Sequence, residues 1–198
     1  MTKVGFVRHG VTRWNKEGRA QGSSDIPLDE EGLEQACSLA AWMEIDDWDV
    51  VYASDLLRAE QTAEVLNEKL GKQLHLDSRL REVGGGLIEG TTEEERVQTW
   101  GPDWRELDML FEPQDSIIAR GISFMEEIID KHHDQNVLVV SHGSFIKHLL
   151  NVLIPGSDMN ESLKNTSLTS LVKCEHGWDC HLYNCTEHLI KGDSLKMY

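Results

Sequence analysis

Two histidine-bearing tripeptides each follow a short apolar run. Phe6 to Asn15 reads FVRHGVTRWN, so Val4–Val7 delivers the chain into Arg8, His9 and Gly10. Val137–Val140 ends the same way, in Ser141, His142 and Gly143. A third run, Trp48–Ala53, leads into Ser54 and Asp55 and then Arg58. If these runs are strands, His9, His142 and the Ser54-to-Arg58 turn emerge at the edge where open α/β sheets bind ligands. Arg58 then falls in the first turn of a helix, whose amides attract anions. Two histidines with two arginines, Arg8 and Arg58, describe a phosphate site, because a guanidinium fork matches phosphate oxygens in pairs.

Moving phosphate takes more than binding it. The clustered carboxylates and histidines of a metal-dependent phosphatase are not apparent. A G-x-x-x-x-G-K-[ST] loop and a strand–GxGxxG fingerprint are absent. What remains is a neutral imidazole as nucleophile, which divides one difficult step into two. A carboxylic acid would protonate the leaving oxygen and later deprotonate water. Glu82, in LREVGGGLIEG, is the first candidate and Glu89 the second. Arg81, beside Glu82, suits a structural ion pair as well as a substrate contact. Ser141 lacks a G-x-S-x-G elbow and reads as a strand-end serine.

The elements that must hold these residues follow from periodicity. Asp29 caps a helix with Glu30 and Glu31 in its first turn and Leu33, Ala36, Leu39, Ala40 and Met43 at helical spacing. Asp55–Leu70, with Ser54 and Asp55 as caps, Ile117–Ile129 and Phe145–Leu153 read as further helices. Ser167–Lys173 and Trp178–Tyr183, around His176 and Gly177, read as an edge hairpin. Strands alternating with helices predict an α/β fold on a largely parallel sheet. Val11–Leu28 is a long polar stretch, and loops of that length usually serve function. Thr91–Asp115 is expected to form a lid, with Trp100, Trp104 and Phe111 as its own small core rather than as rings that stack on substrate.

Bulk properties narrow the partners. A chain of 198 residues suits one domain, residues 1–198, with the lid as an insertion near 91–115. The formal charge of −16 argues against nucleic acid or an anionic membrane as partner. Local arginines still dominate a cleft, since exposed charges beyond about 8–10 Å are screened. The N-terminal residues lack a signal-peptide pattern, and no apolar run reaches the roughly 20 residues of a membrane span, so a cytoplasmic location is expected. Cys37, Cys174, Cys180 and Cys185 are too scattered for a disulfide framework, and the CEHGWDCHLYNC tail lacks zinc-site spacing. Reduced thiols in strands are expected there. His132 and His133 end a helix, where imidazolium suits the dipole. Oligomeric state is not legible.

Several blocks together resemble the histidine phosphatase superfamily, the phosphoglycerate-mutase-like enzymes. VRHGVTRWNKEGRAQGSSDIPLDEEGLEQA (Val7–Ala36) carries RHG-x-T-x-W-N, R-x-Q-G, D-x-P-L and G-x-x-Q-A in order. ASDLLRAEQTAE, LREVGGGLIEG, VVSHGSFIKHLL and NTSLTSL follow in the same order. The resemblance implies a three-layer α/β/α sandwich with a mixed, mostly parallel six-stranded sheet. It implies His9 as the nucleophile that becomes phosphohistidine, with Arg8 and Arg58 on the phosphoryl oxygens. His142 would stabilise the transferring group, and Glu82 would serve as acid and base. Asn15, Gln21 and the Gly22 and Gly143 amides would line the phosphate pocket. No cofactor and no metal are implied. The expected partner is a small phosphorylated metabolite, with phosphoglycerates, sugar phosphates and α-ribazole phosphate as the family's examples.

One block departs from the family pattern. Gly85 and Ile88 stand where the family often carries an aromatic and a tryptophan, within Gly84-Gly85-Gly86. The expectation is a wider or more mobile wall beside Glu82, and lowered or altered activity. The function expected is a metal-independent phosphatase, the chain lacking the segments that close a mutase over its bisphosphoglycerate. The alternatives are a cofactor-dependent phosphoglycerate mutase and a non-catalytic phospholigand-binding regulatory protein.

Overall fold

Alternate residues of the apolar runs face two different cores. Val4, Phe6, Val137 and Val139 pack with Phe124, Met125, Phe145 and Leu149. Val7, Val51, Leu138 and Val140 pack with Leu39, Ala59, Ala63 and Leu66. A strand whose side chains are buried on both faces belongs inside a sheet covered on both sides. The computed structural model, which describes residues 1–157, 159 and 161–190, has that arrangement.

The strands are β1 (Lys3–Arg8), β2 (Val50–Ala53), β3 (Gln73–Leu76), β4 (Asn136–Ser141), β5 (Leu168–Cys174) and β6 (Gly177–Cys185). They form one six-stranded sheet in the order β3-β2-β4-β1-β5-β6. β3, β2, β4 and β1 run parallel, while β5 and β6 pair antiparallel, so the sheet is mixed. The helices are α1 (Arg13–Glu17), α2 (Glu30–Trp42), α3 (Leu57–Leu70), α4 (Glu93–Trp100), α5 (Gln114–Lys131) and α6 (Gly143–Leu153). α2 and α3 cover one face and α5 and α6 the other, giving three layers. Among the described residues no helix is long and apolar enough to cross a membrane.

Register is what assembles the site. Arg8 pairs with Ser141 across β1 and β4, and Ala53 with Val140 across β2 and β4. The residues that follow, His9, His142 and Ser54, therefore leave the sheet side by side.

Three local expectations change. The helix expected from Asp55 begins at Leu57, with Leu56 at its cap position and no capping side chain of its own. Instead Asp25, from the long polar stretch, accepts the Leu57 N–H at 2.7 Å, and Asp55 turns to Arg81. That stretch is not patternless: Thr12 and Asn15 form a capping box that starts α1. β3 was not expected, because the four residues QLHL at the sheet edge carry no apolar run.

In the 91–115 segment, Thr92 and Glu95 box the start of α4. Trp104 is buried with its ring under the Arg105 and Arg96 guanidiniums, at 4.3 and 5.2 Å. Phe111 is not part of that small core; it is 45% exposed.

Candidate active site

His9 and His142 lie ring to ring, with centroids 5.2 Å apart and planes inclined at 57°. Both are buried, although each follows a strand end, where side chains usually meet water. The His9 Nδ1 is 2.7 Å from the Gly10 carbonyl oxygen. A carbonyl only accepts, so Nδ1 carries the proton and Nε2 keeps its lone pair. Burial, and then the charges of Arg58 and Arg8, hold this imidazole well below its ordinary 6.5. His9 is therefore a neutral ring at neutral pH with a nucleophilic nitrogen.

The arginines are braced rather than free. Arg58, fully buried in the first turn of α3, donates to the Ser24 and Gly22 carbonyls at 2.8 Å each. Burial pushes its pKa down to about 10, which still leaves it cationic at neutral pH. Arg8 donates to the Leu163 carbonyl at 2.6 Å, and burial lowers its pKa as well. Each keeps its Nε buried with no partner among the described residues, and so does Nδ1 of His142. Two buried guanidinium donors without acceptors, each costing about 1–3 kcal/mol when left so, and an unpartnered imidazole nitrogen beside them mark a place built for an anion. The His142 imidazole is also held well below its ordinary value, by burial first and then by Arg58.

Glu82 sits at the N-terminus of α6, where its carboxylate suits the helix dipole. Its Oε1 accepts the Val83 and Phe145 N–H groups at 2.9 Å each, and its Oε2 accepts Ser144 N–H at 3.2 Å. Oε2 is the less engaged oxygen and the one suited to exchange a proton. The first amide of α6, that of Gly143, is not taken by Glu82.

Arg8, His9, Asn15, Gln21, Gly22, Arg58 and Glu82 line one cavity of about 320 Å³. Gly143 lines an adjoining cavity of about 220 Å³ with Arg8 and Glu82. Asn15 has its Oδ1 engaged by Thr12, so its Nδ2 is the end left for a ligand. Glu89 is no second acid. Its carboxylate accepts Ser23 N–H at 2.8 Å, Ser24 Oγ–H at 2.8 Å and Gly85 N–H at 2.9 Å, tying two loops together. Arg81 makes a forked ion pair with Asp55, both contacts at 2.7 Å.

The glycine wall is not loose. A Cβ on Gly85 would stand 2.9 Å from Glu89 Cγ, and one on Gly22 would collide with the same carboxylate, so Glu89 fills the space. Gly84 N–H donates to Glu112 Oε2 at 3.1 Å, and Glu112 N–H returns to the Gly84 carbonyl at 3.0 Å. This pairing lays residues 109–112 beside the glycines and puts the Phe111 ring on the cavity wall.

Two contributors were missed by sequence reasoning. Ser54 Oγ lies 2.8 Å from His142 Nε2. Arg120 of α5 donates to the carbonyls of Arg79 and Arg81 at 2.6 and 2.7 Å and pairs with Glu112, fixing the chain that leads into Glu82. An arginine within the otherwise amphipathic α5 was a faint signal for Arg120; Ser54 was read only as a helix cap. Phe111, expected in the core of the lid, lines the cavity instead.

Comparison with known proteins gives the chain a family. A family model for the histidine phosphatase superfamily (branch 1) matches residues 4–186. The uncharacterised phosphatase PhoE of Bacillus subtilis (strain 168) is 32% identical over 193 residues, covering 96% of this chain and 97% of that protein. "Probable phosphoglycerate mutase GpmB" of Salmonella choleraesuis (strain SC-B67) is 32% identical, covering 90% and 88%. Among solved structures, Bacillus stearothermophilus YhfR superposes with a TM-score of 0.85 at 27% identity, covering 95% and 99%. A mycobacterial glucosyl-3-phosphoglycerate phosphatase complexed with VO3 has a TM-score of 0.81 at 28% identity, covering 92% and 99%. With one family model spanning nearly the whole chain and relatives matched end to end, this chain belongs to the histidine phosphatase superfamily.

Proposed function

We propose that this protein is a cytoplasmic, metal-independent phosphatase that hydrolyses small phosphomonoesters through a phosphohistidine on His9. The observation that carries the reading is the neutral, Nε2-nucleophilic His9 beside two buried, acceptor-less guanidinium donors. In the first step Nε2 attacks phosphorus in line, a P–N bond forms and the P–O bond to the leaving group breaks. Glu82 gives its proton to the departing oxygen. Arg8, Arg58 and His142 hold the equatorial oxygens, where positioning and charge stabilisation do most of the work in phosphoryl transfer. Glu82 then takes a proton from water as the water oxygen attacks phosphorus; a P–O bond forms, the P–N bond breaks to return the lone pair to Nε2, and inorganic phosphate leaves. Asn15, Gln21 and the Gly22 and Gly143 amides complete the phosphoryl pocket.

Two kinds of relative bear on the choice between hydrolysis and mutase transfer. A phosphatase and a described phosphoglycerate mutase are equally identical to this chain. Purified protein should form an acid-labile, alkali-stable phosphoenzyme and release phosphate with chelator present. His9→Ala should abolish both, and Glu82→Gln should slow turnover at least 100-fold. Rapid interconversion of 3- and 2-phosphoglycerate with little phosphate release would replace the reading with a mutase. Binding of phosphate esters without any phosphoenzyme would replace it with a ligand-binding protein.

A further inference from the structure

We infer that the leaving-group side of the cleft selects a neutral, flat apolar group, so that the preferred substrates are aryl-type phosphomonoesters, and that Phe111 makes the selection. The inference rests on the phosphomonoester reading of the same site.

Away from the arginine cage, the apolar residues that line the 320 Å³ cavity are Ala20, Val83, Ile88 and Phe111. Phe111 is held in place although it is 45% exposed. Upstream, Leu87 N–H donates to the Met109 carbonyl at 2.9 Å; downstream, the double Gly84–Glu112 pairing closes at 3.0 and 3.1 Å. Between these anchors Leu110 adopts φ 57°, a left-handed conformation uncommon for a leucine. Such backbone persists where surrounding contacts over-determine it, and here it presents the next residue to the cavity. Phe111 lines the same cavity as Gly84 and Gly85, so the 109–112 segment supplies an aromatic residue to a wall that the glycine loop leaves without side chains.

Charge points the same way. Among the described residues that line this cavity, the only side chain of fixed positive charge besides Arg8 and Arg58 is Arg19. Its guanidinium forks onto Glu95 at 2.6 and 2.9 Å, donates to the Gly90 carbonyl at 2.6 Å and reaches Glu17 at 2.9 Å. Four of its five N–H donors are thus engaged by its own neighbours, and its charge is paired. A carboxylate or second phosphate on the leaving group would meet mostly apolar carbon there. An aromatic leaving group would instead stack on Phe111, a contact that adds to simple burial.

Binding of non-hydrolysable phosphonates tests this without depending on leaving-group reactivity or on turnover. By calorimetry, benzylphosphonate should bind at least tenfold more tightly than 3-phosphonopropionate. Phe111→Ala should cut that ratio about tenfold, and Phe111→Leu, which keeps apolar bulk and guards against misfolding, should fall between. Glu95→Gln, which leaves the α4 cap an acceptor but removes its charge, should strengthen 3-phosphonopropionate alone, by releasing Arg19. If 3-phosphonopropionate binds as well as benzylphosphonate, the inference falls, and the leaving group belongs in the adjoining cavity on the Gly143 side of Arg8. An unchanged ratio in both Phe111 variants overturns it equally. Selective phosphonate binding with no phosphate release from any ester would leave this selection intact and remove the phosphatase reading instead.

Discussion

A phosphoryl oxygen only accepts hydrogen bonds, so His142 helps the reaction only through a nitrogen that bears a proton. Its Nδ1 is the buried nitrogen without a partner, and its Nε2 faces Ser54 Oγ at 2.8 Å. Ser54 accepts the Leu56 N–H at 3.2 Å, and its hydroxyl can give its own proton to Nε2 while doing so. With the bond in that sense the imidazole proton sits on Nδ1, the tautomer that a phosphoryl oxygen requires. Ser54→Ala is expected to lower kcat about tenfold with little change in KM, the loss of one oriented donor. Orthovanadate affinity should fall in parallel, and Ser54→Thr should restore both. A loss confined to thermal stability would make Ser54 structural only. Nothing local in the sequence separates this serine from a helix cap; its partner is 88 positions away and arrives through the β2–β4 register. His9, Arg8, Arg58, His142 and Glu82 were legible because each follows a patterned element or a recognisable block. Phe111 was legible only as an aromatic of the 91–115 segment, because the contact that brings it to the cavity, Gly84 with Glu112, joins two segments without periodicity.

At the scale of elements, the long polar stretch between β1 and α2 acts as a set of braces for other elements' ends. Val11 N–H is held by Gln35 of α2 at 3.1 Å, and Leu28 N–H by Gln61 of α3 at 2.8 Å. Asp25 accepts the first amide of α3, the helix that carries Arg58. These bonds give the D-x-P-L and G-x-x-Q-A blocks a physical meaning that spacing alone did not reveal. Asp25→Ala is expected to cost about 1 kcal/mol in urea unfolding, the usual value of a lost N-terminal cap. KM should rise as well, because Arg58 sits in the turn that loosens, and Asp25→Asn should recover most of both. Unchanged stability in the alanine variant would show that water replaces the cap. The two expected histidine strands, β1 and β4, and the closing hairpin were readable from apolar runs. β3 escaped because an edge strand of four residues is held by its pairing to β2 rather than by burial.

Across the whole molecule, a chain of formal charge −16 keeps two neutral histidines and two arginines in a buried cationic pocket. Local placement outweighs net charge here, because the pocket's interactions are short and poorly screened. The same placement couples folding to pH. The folded-state pKa values of His9 and His142 lie well below 6.5, through burial first and the neighbouring arginines second. In the unfolded chain both titrate near 6.5. Below that pH the unfolded state therefore binds more protons than the folded one, and stability falls as pH drops. Above about 6.5 neither state is protonated at these sites and the full stability is present. His75 and His188 shift the same way through burial, whereas lowered carboxylates such as Glu17 and Asp29 act only in the more acidic carboxylate range. Loss of negative charge on acidification relieves self-repulsion and works in the opposite direction, so the raw slope mixes two effects. The difference between wild type and His9→Ala isolates one histidine, since both carry the same acidic surface. Between pH 6.5 and 5 the wild type should lose stability more steeply than His9→Ala, by up to about 1.4 kcal/mol per pH unit. Urea unfolding at half-unit intervals measures it, and parallel slopes for the two proteins would mean that His9 is not held neutral by the fold.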